Sequence, residues 1–411
     1  MALENSKRQW TDPGLTQVPY WLYRDPDILA DERTRLFMGR TWNFVALDCE
    51  IPGPGDFRTS FVGDVSVVVV RGKDGHVRVL ENRCAHRGAQ VCLERCGNTK
   101  KLTCVYHAWN YDLDGNLVGI AFRDGVMGKG GMPKDFDMSQ HGLRKLQVEV
   151  YHGVIFASFA SDMPPVEKTL GPVIAERVQR VFNRPVKVLG QVTQSLPNNW
   201  KLYIENVKDS YHASILHTFF TTFKINRLSQ EGGILLDDSG GHHVSYSKID
   251  KNYNENDYNQ AQLRSDNTSL QLEDPSLLTG RDEWGDGITL QILSIFPNFV
   301  IQQIQNSLAV RQVIPRGIDR TDVNWTLFGY ADEEADLTEL RVKQSNLVGP
   351  AGFISMEDGC IGGFVQRAIA GSDDCDSVVM MGGEGVESQE TRATETSVRG
   401  FWKVYRELMG I

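Results

Sequence analysis

The rhythm of apolar residues changes along the chain. In PDILADERTRLFMGRTW (26–42), Ile28, Leu29, Leu36 and Phe37 fall at helical spacing and predict an amphipathic helix after an extended arm. From 42 to 159 the apolar positions gather into short β-branched runs: VSVVVV (65–70), VRVLEN (77–82), KLTCVYH (101–107), LQVEV (146–150) and GVIFASF (153–159). Gly, Asp and Pro signals at 73–75, 113–115 and 131–133 separate them, which predicts a small all-β domain. Beyond 160 both periods occur. EKTLGPVIAERVQRVF (167–182), the stretch from Asn199, 331–348 and 397–409 read as helices. Residues 186–196, 242–249, 288–296, 299–314 and 323–331 read as strands, and the alternation in 299–314 is consistent with an antiparallel sheet having one buried face. The expected fold is α+β: an arm and helix (1–41), a small β domain (42–159), and a larger domain (160–411) with a long antiparallel sheet covered by helices. Residues 250–287 are polar and aperiodic, a solvated insertion or a cover over a site.

Composition narrows the class. The 411 residues carry a formal net charge of -10, which gives no basic footprint for nucleic acid. No apolar run approaches the roughly 18 residues of a membrane span. The N-terminal MALENSKRQWTDPG lacks an apolar signal core, so a cytoplasmic protein is expected. In that compartment the seven cysteines favour metal binding over disulfides, and four of them lie between 84 and 104.

Cys84-Ala85-His86 and Cys104-Val105-Tyr106-His107 each offer one thiolate and one imidazole on a short loop. Two thiolates and two imidazoles describe a Rieske [2Fe–2S] centre. A zinc finger fits poorly, because it pairs Cys with Cys and His with His along the chain. A second cluster, Asp209, His212 and His217, suggests a two-histidine, one-carboxylate iron site. Asp209 and His212 share a helical face, but five residues of regular helix would splay His212 and His217 by roughly 140°. Both can reach one metal only if the helix is distorted or ends there. The carboxylate is then either Asp209 or a distant one, with Asp209 free to hold a histidine through its other ring nitrogen.

CAHRG (84–88), CVYHAW (104–109) and ENVKDSYHASILH (205–217) together resemble the large α subunit of Rieske non-haem iron aromatic-ring-hydroxylating oxygenases, a resemblance that covers nearly the whole chain. It implies that GPAGFISMEDG (349–359) supplies the third ligand of a mononuclear Fe(II), Asp358, rather than its neighbour Glu357. It implies that Asp209 bridges the iron sites of adjacent subunits and that Asn206 stands near the metal. Members are trimers of α, often with three small β subunits (α3β3). Electrons come from NADH through a separate reductase, with or without a ferredoxin; this chain has no Gly-x-Gly-x-x-Gly unit to bind the nucleotide. The reaction implied adds both atoms of O2 to an aromatic ring as a cis-diol. A Rieske electron carrier would need only about residues 42–159 and would leave the rest unexplained.

Within the family, 198–223, 290–307 and 392–402 resemble the branch acting on benzoic-acid-type substrates, terephthalate first, with anthranilate and salicylate oxygenases as relatives. An anionic ring acid needs a cation, and arginine matches a carboxylate with its planar two-donor fork. Arg311, in an alternating strand, and Arg392, before the last helix, are the expected substrate-binding residues. His242 and His243 could also line the pocket, although a strand would turn at most one inward.

Overall fold

The computed structural model describes residue 10 and residues 14–223, 225–248 and 270–411. The chain divides into two compact units. One runs from Phe37 to Thr169; the other joins Leu170–Ile411 to the chain before Phe37.

The Phe37–Thr169 unit is built from three small antiparallel sheets. Val77–Glu81, Val65–Arg71, Asp56–Val62 and Cys96–Asn98 form one, in that order. Leu102–Thr103, Asn110–Tyr111 and Leu117–Gly119 form the second. Gln147–Tyr151, Val154–Ser158 and Asn43–Leu47 form the third. Val68, Val70, Leu80, Leu102 and Tyr111 pack in one core with Cys84 and Cys104. The strand expected over 101–107 shrinks to Leu102–Thr103, because Cys104 to His107 turn out of the ladder.

In the other unit a seven-stranded sheet is the frame. Its strands are β1 (Val186–Leu196), β2 (Gly232–Leu236), β3 (His243–Lys248), β4 (Ile288–Ile295), β5 (Phe299–Ile304), β6 (Ser307–Pro315) and β7 (Thr321–Tyr330). Their order is β1-β7-β6-β5-β4-β3-β2, and every pair is antiparallel. The single strand expected over 299–314 is a hairpin. Gln305 takes φ 53°, a left-handed conformation, and the chain reverses so that Ile304 pairs with Ser307. The insertion expected over 250–287 falls partly outside the described residues; its described part holds a short helical turn, Pro275–Leu278. The N-terminal helix covers Pro26–Asp31 and continues as a π-helical turn, Glu32–Phe37.

The helices that matter for the site are α1 (Trp200–Lys208), α2 (Ala213–Leu216), α3 (Ala335–Val348), α4 (Phe353–Ala368) and α5 (Thr396–Met409). Asn199 caps α1, its side chain accepting from Lys201 N–H. Lys201 is buried and donates to Glu32, which also accepts from Trp200 Nε1 and Tyr405 Oη. Three donors on one buried carboxylate offset its desolvation. Helix α4 was not evident in the sequence, since Gly359, Gly362 and Gly363 lower helix propensity. Those glycines allow close packing instead. A Cβ at 359 would meet Leu196 at 2.9 Å, and one at 362 would meet Asn198 at 2.3 Å.

Candidate metal centres and substrate pocket

The two Cys–His loops repeat one backbone design. Cys84 N–H bonds the Ala89 carbonyl and Cys104 N–H that of Trp109. Their own carbonyls accept from Gly88 and Ala108, whose φ values are 76° and 51°. The left-handed residue turns each chain back and buries the thiol, with the His86 imidazole exposed and that of His107 half-buried. Both thiols are buried, while His86 is exposed and its ring lies 4.6 Å from that of His107. Trp109 stacks on His86 at 4.9 Å. Tyr111 Oη lies 3.2 Å from Cys84 Sγ and accepts from Ala85 N–H. His107 Nδ1 is buried with no hydrogen-bond partner among the described residues. An orphaned imidazole nitrogen beside two buried free thiols and a second imidazole fits the donor set of a Rieske cluster.

At the second cluster the regular helix stops. Helix α1 ends at Lys208, and Asp209 takes extended backbone angles. Asp209 Oδ1 then accepts from Tyr211 N–H at 2.7 Å, an Asx turn, while Oδ2 stands 3.1 Å from His212 Nδ1. One carboxylate both folds the turn and holds the ring. His212 and His217 flank the single-turn α2, which removes the splay that a continuous helix would impose. Asp358 comes from α4. His212 Nε2 and His217 Nε2 lie 3.4 and 3.2 Å from its Oδ1, and the three ligand atoms fall within 4.8 Å of one another.

Each histidine is held from behind by a carboxylate. Asp209 takes Nδ1 of His212, and Glu357 Oε2 lies 2.8 Å from Nδ1 of His217. Both Nε2 atoms are thereby free to face a metal. Glu357 was set aside as a ligand, and its role as the support of His217 was missed. The signal available was a second carboxylate beside Asp358. Asn206 Nδ2 donates to Asp358 Oδ1 at 3.2 Å.

The titration behaviour matches a site built for a cation. Burial lowers His212, but the Asp209 charge and hydrogen bond, with Asp358, push it up to about 10. His217 is raised against burial by Asp358 and Glu357. Burial raises Asp358, yet hydrogen bonds from both histidines hold it well below the usual carboxylate range. Two imidazoles and one carboxylate form the facial triad that binds non-haem Fe(II) with positions left open.

His212, His217 and Asp358 form one wall of an interior pocket. Its sheet side carries Ser245, Ile292 and Gln302, aligned in register across β3, β4 and β5, with Arg311 on β6. Arg311 is buried, lies 4.4 Å over the Trp325 ring, and donates to Tyr203 Oη and to Gln302 Oε1. Arg392 is also buried, and donates to Asn226 Oδ1 and the Arg227 carbonyl. These acceptors are all neutral. The open volume, about 60 Å3, is smaller than the roughly 150 Å3 that holds a benzene ring, so a ring enters only as side chains move apart. His242 and His243 do not line this pocket. His242 Nδ1 accepts from Phe296 N–H, and His243 is buried beside Lys208 Nζ. A larger cavity of about 680 Å3 reaches Asn206, Asp209 and His212 through apolar walls that include Leu202, Ile361 and Val378.

Comparison with known proteins agrees with this geometry. Residues 41–127 match the Rieske [2Fe-2S] domain family, and residues 183–411 match the ring hydroxylating alpha subunit (catalytic domain) family. The chain is 56% identical to the terephthalate 1,2-dioxygenase terminal oxygenase component subunit alpha 2 of Comamonas sp, over 99% of each chain. It is 46% identical to the anthranilate 1,2-dioxygenase large subunit of Burkholderia cepacia, over 96% of this chain and 94% of that one. Naphthalene 1,2-dioxygenase from Rhodococcus sp. shares the fold with a TM-score of 0.79 at 22% identity, covering 96% of this chain and 94% of that one. The chain belongs to the ring-hydroxylating oxygenase α subunits, Rieske proteins in which a [2Fe–2S] domain precedes a catalytic domain with mononuclear iron.

Proposed function

We propose that this chain is the large subunit of a terminal oxygenase that cis-dihydroxylates a benzene dicarboxylate of the terephthalate type. The observation that carries the substrate is the pair of buried arginines on the same pocket as His212, His217 and Asp358. Arg311 stands on β6, whereas a Cβ at Gly232 of β2 would meet Arg392 Nε at 3.2 Å. Those strands are four places apart in the sheet, so the two arginines reach the pocket from different sides of it. An aromatic acid with carboxylates para to one another can present one carboxylate to each. Each carboxylate replaces neutral acceptors by charge-assisted bonds, which are the stronger.

In this reading Cys84, His86, Cys104 and His107 hold the Rieske cluster, and His212, His217 and Asp358 hold the mononuclear iron. When bound, the two centres supply one-electron transfer and activation of O2. The protein's own groups do the rest. Asp209 and Glu357 fix the tautomers and ring planes of the two histidines. Asn206 donates to Asp358 and keeps that oxygen oriented. Arg311 and Arg392 clamp the ring, and the apolar side chains of β4 and β5 keep water away. Asp209, reached from the larger cavity, is the bridge by which electrons arrive from a neighbouring subunit's Rieske domain. The assembly is then α3 or α3β3, with chain segments 1–41, 42–159 and 160–411 as its domains.

The relatives are terminal oxygenase components, so an electron-donating partner is part of the system. We take it to be an NADH-dependent reductase, which places the enzyme in the cytoplasm where NADH is supplied. No helix among the described residues is long and apolar enough to cross a membrane. The test is turnover of iron-loaded protein with a reductase, NADH and O2 on terephthalate, benzoate, anthranilate and salicylate. Terephthalate should give the highest kcat/KM and a cis-diol. A clear preference for any monocarboxylate would overturn the substrate.

A further inference from the structure

We infer that Gln302 determines specificity at the Arg311 end of the pocket, donating a hydrogen bond from Nε2 to the substrate carboxylate that Arg311 binds. This rests on the aromatic-carboxylate reading above and adds a residue and a sense of discrimination to it. Gln302 is 1% exposed and stands on β5, opposite Ile292 on β4 and Ala309 on β6. Its amide cannot be turned around. Arg311 has only donors to offer, so the amide oxygen must face the guanidinium and the NH2 must face away. That NH2 has no hydrogen-bond partner among the described residues, although Gln302 lines the pocket. Arg311 Nε is a second buried donor without a partner there.

Buried donors are nearly always satisfied, and one left open beside a binding pocket marks where a ligand acceptor belongs. A carboxylate at Arg311 brings that acceptor: one oxygen for the guanidinium, the other within reach of the amide. A group that only donates, such as a ring amine, would meet Nε2–H donor against donor. Gln302 thus selects for an oxygen acceptor, beyond the bare negative charge that Arg311 selects.

The test compares Gln302→Met, which keeps the shape but removes the NH2 donor and the oxygen that Arg311 bonds, with Gln302→Glu, which keeps an oxygen for Arg311 but adds a charge that repels a carboxylate. Terephthalate, benzoate and anthranilate are the probes, with steady-state kinetics, substrate binding and iron content measured on the holoenzyme. Gln302→Met should raise KM for the preferred carboxylate about tenfold, the loss of one hydrogen bond, with kcat within about twofold. Gln302→Glu should raise it further, and benzoate and anthranilate should weaken alongside terephthalate in both variants, because each presents a carboxylate to Arg311. An unchanged KM in Gln302→Met would overturn the inference, as would a loss confined to kcat. If the wild-type enzyme fails on terephthalate but turns over another carboxylate, the substrate reading fails alone, and the same comparison on that acid still judges Gln302.

Discussion

The two carboxylates behind the histidines allow a paired experiment. Asp209 stands 3.1 Å from His212 Nδ1 and Glu357 stands 2.8 Å from His217 Nδ1, so their positioning roles match. Loss of such a support costs about 10–100-fold in metal affinity, or about 1.4–2.7 kcal/mol. Glu357→Ala should fall in that range and recover turnover once Fe(II) is added in excess. Asp209→Asn should show a similar affinity loss for a specific reason. Its remaining oxygen stays on Tyr211 N–H, so the new NH2 faces Nδ1 of His212 and favours the wrong tautomer. If Asp209 also carries electrons between subunits, excess Fe(II) will refill the site without restoring NADH-driven turnover. The assay is iron per chain by chelation, the reduced Rieske signal by electron paramagnetic resonance, and product per NADH in the iron-replete protein. Recovery of full turnover in iron-replete Asp209→Asn would refute the bridge. Unchanged iron affinity in Glu357→Ala would refute its support of His217.

Arg392→Ala should raise KM for terephthalate by at least about tenfold, the loss of a charge-assisted bond of about 1.5–3 kcal/mol, and affect benzoate far less; equal effects would remove Arg392 from reading a second carboxylate. Tyr111→Phe should lower the Rieske midpoint potential, because a hydrogen bond to Cys84 Sγ favours the more negative reduced cluster; voltammetry of the two proteins decides it, and an unchanged potential would rule the bond out. Burial pushes the Glu205 carboxyl from 4.5 up to about 7 against the donors Tyr23 Oη and Trp402 Nε1. The folded chain then holds a proton that the unfolded chain has released, so stability falls as pH rises from about 4.5 to 7, by about 3 kcal/mol. Glu205→Gln removes that loss, and its stability relative to wild type in denaturant should rise between pH 5 and pH 8; parallel curves would contradict the assignment.

The most legible features were those whose chemistry and period coincide. The Cys–His loops announce themselves by residue type, and β1 matches the expected 186–196 because Val186, Val188, Val192 and Thr193 favour extended backbone. The hairpin at Gln305 was hidden. Its turn, Gln305–Asn306, has a left-handed glutamine where a glycine would mark it, and β-rich runs flank it closely on both sides. Helix α4 was hidden for the opposite reason. Glycines that read as breakers are the contact face that lets α4 approach Leu196 and Asn198, and Asp358 rides on that approach. The break after α1 could be anticipated only as a demand, that both histidines reach one metal. Which residue broke the helix follows from the Asp209 turn, a short-range bond that no hydrophobic pattern records.

The layout of the interior pocket also bears on engineering. The three metal-facing side chains stand on the helical layer, at the ends of α2 and on α4, whereas Ser245, Leu290, Ile292, Gln302, Ile304 and Arg311 are strand positions on the facing sheet. Apart from Arg392, on the segment before α5, the side chains that face the ring therefore stand on a separate support from those that face the metal. A library confined to those six strand positions can search for new aromatic acids while the iron-holding layer keeps its geometry. Drift in substrate range can follow the same route without passing through an inactive enzyme.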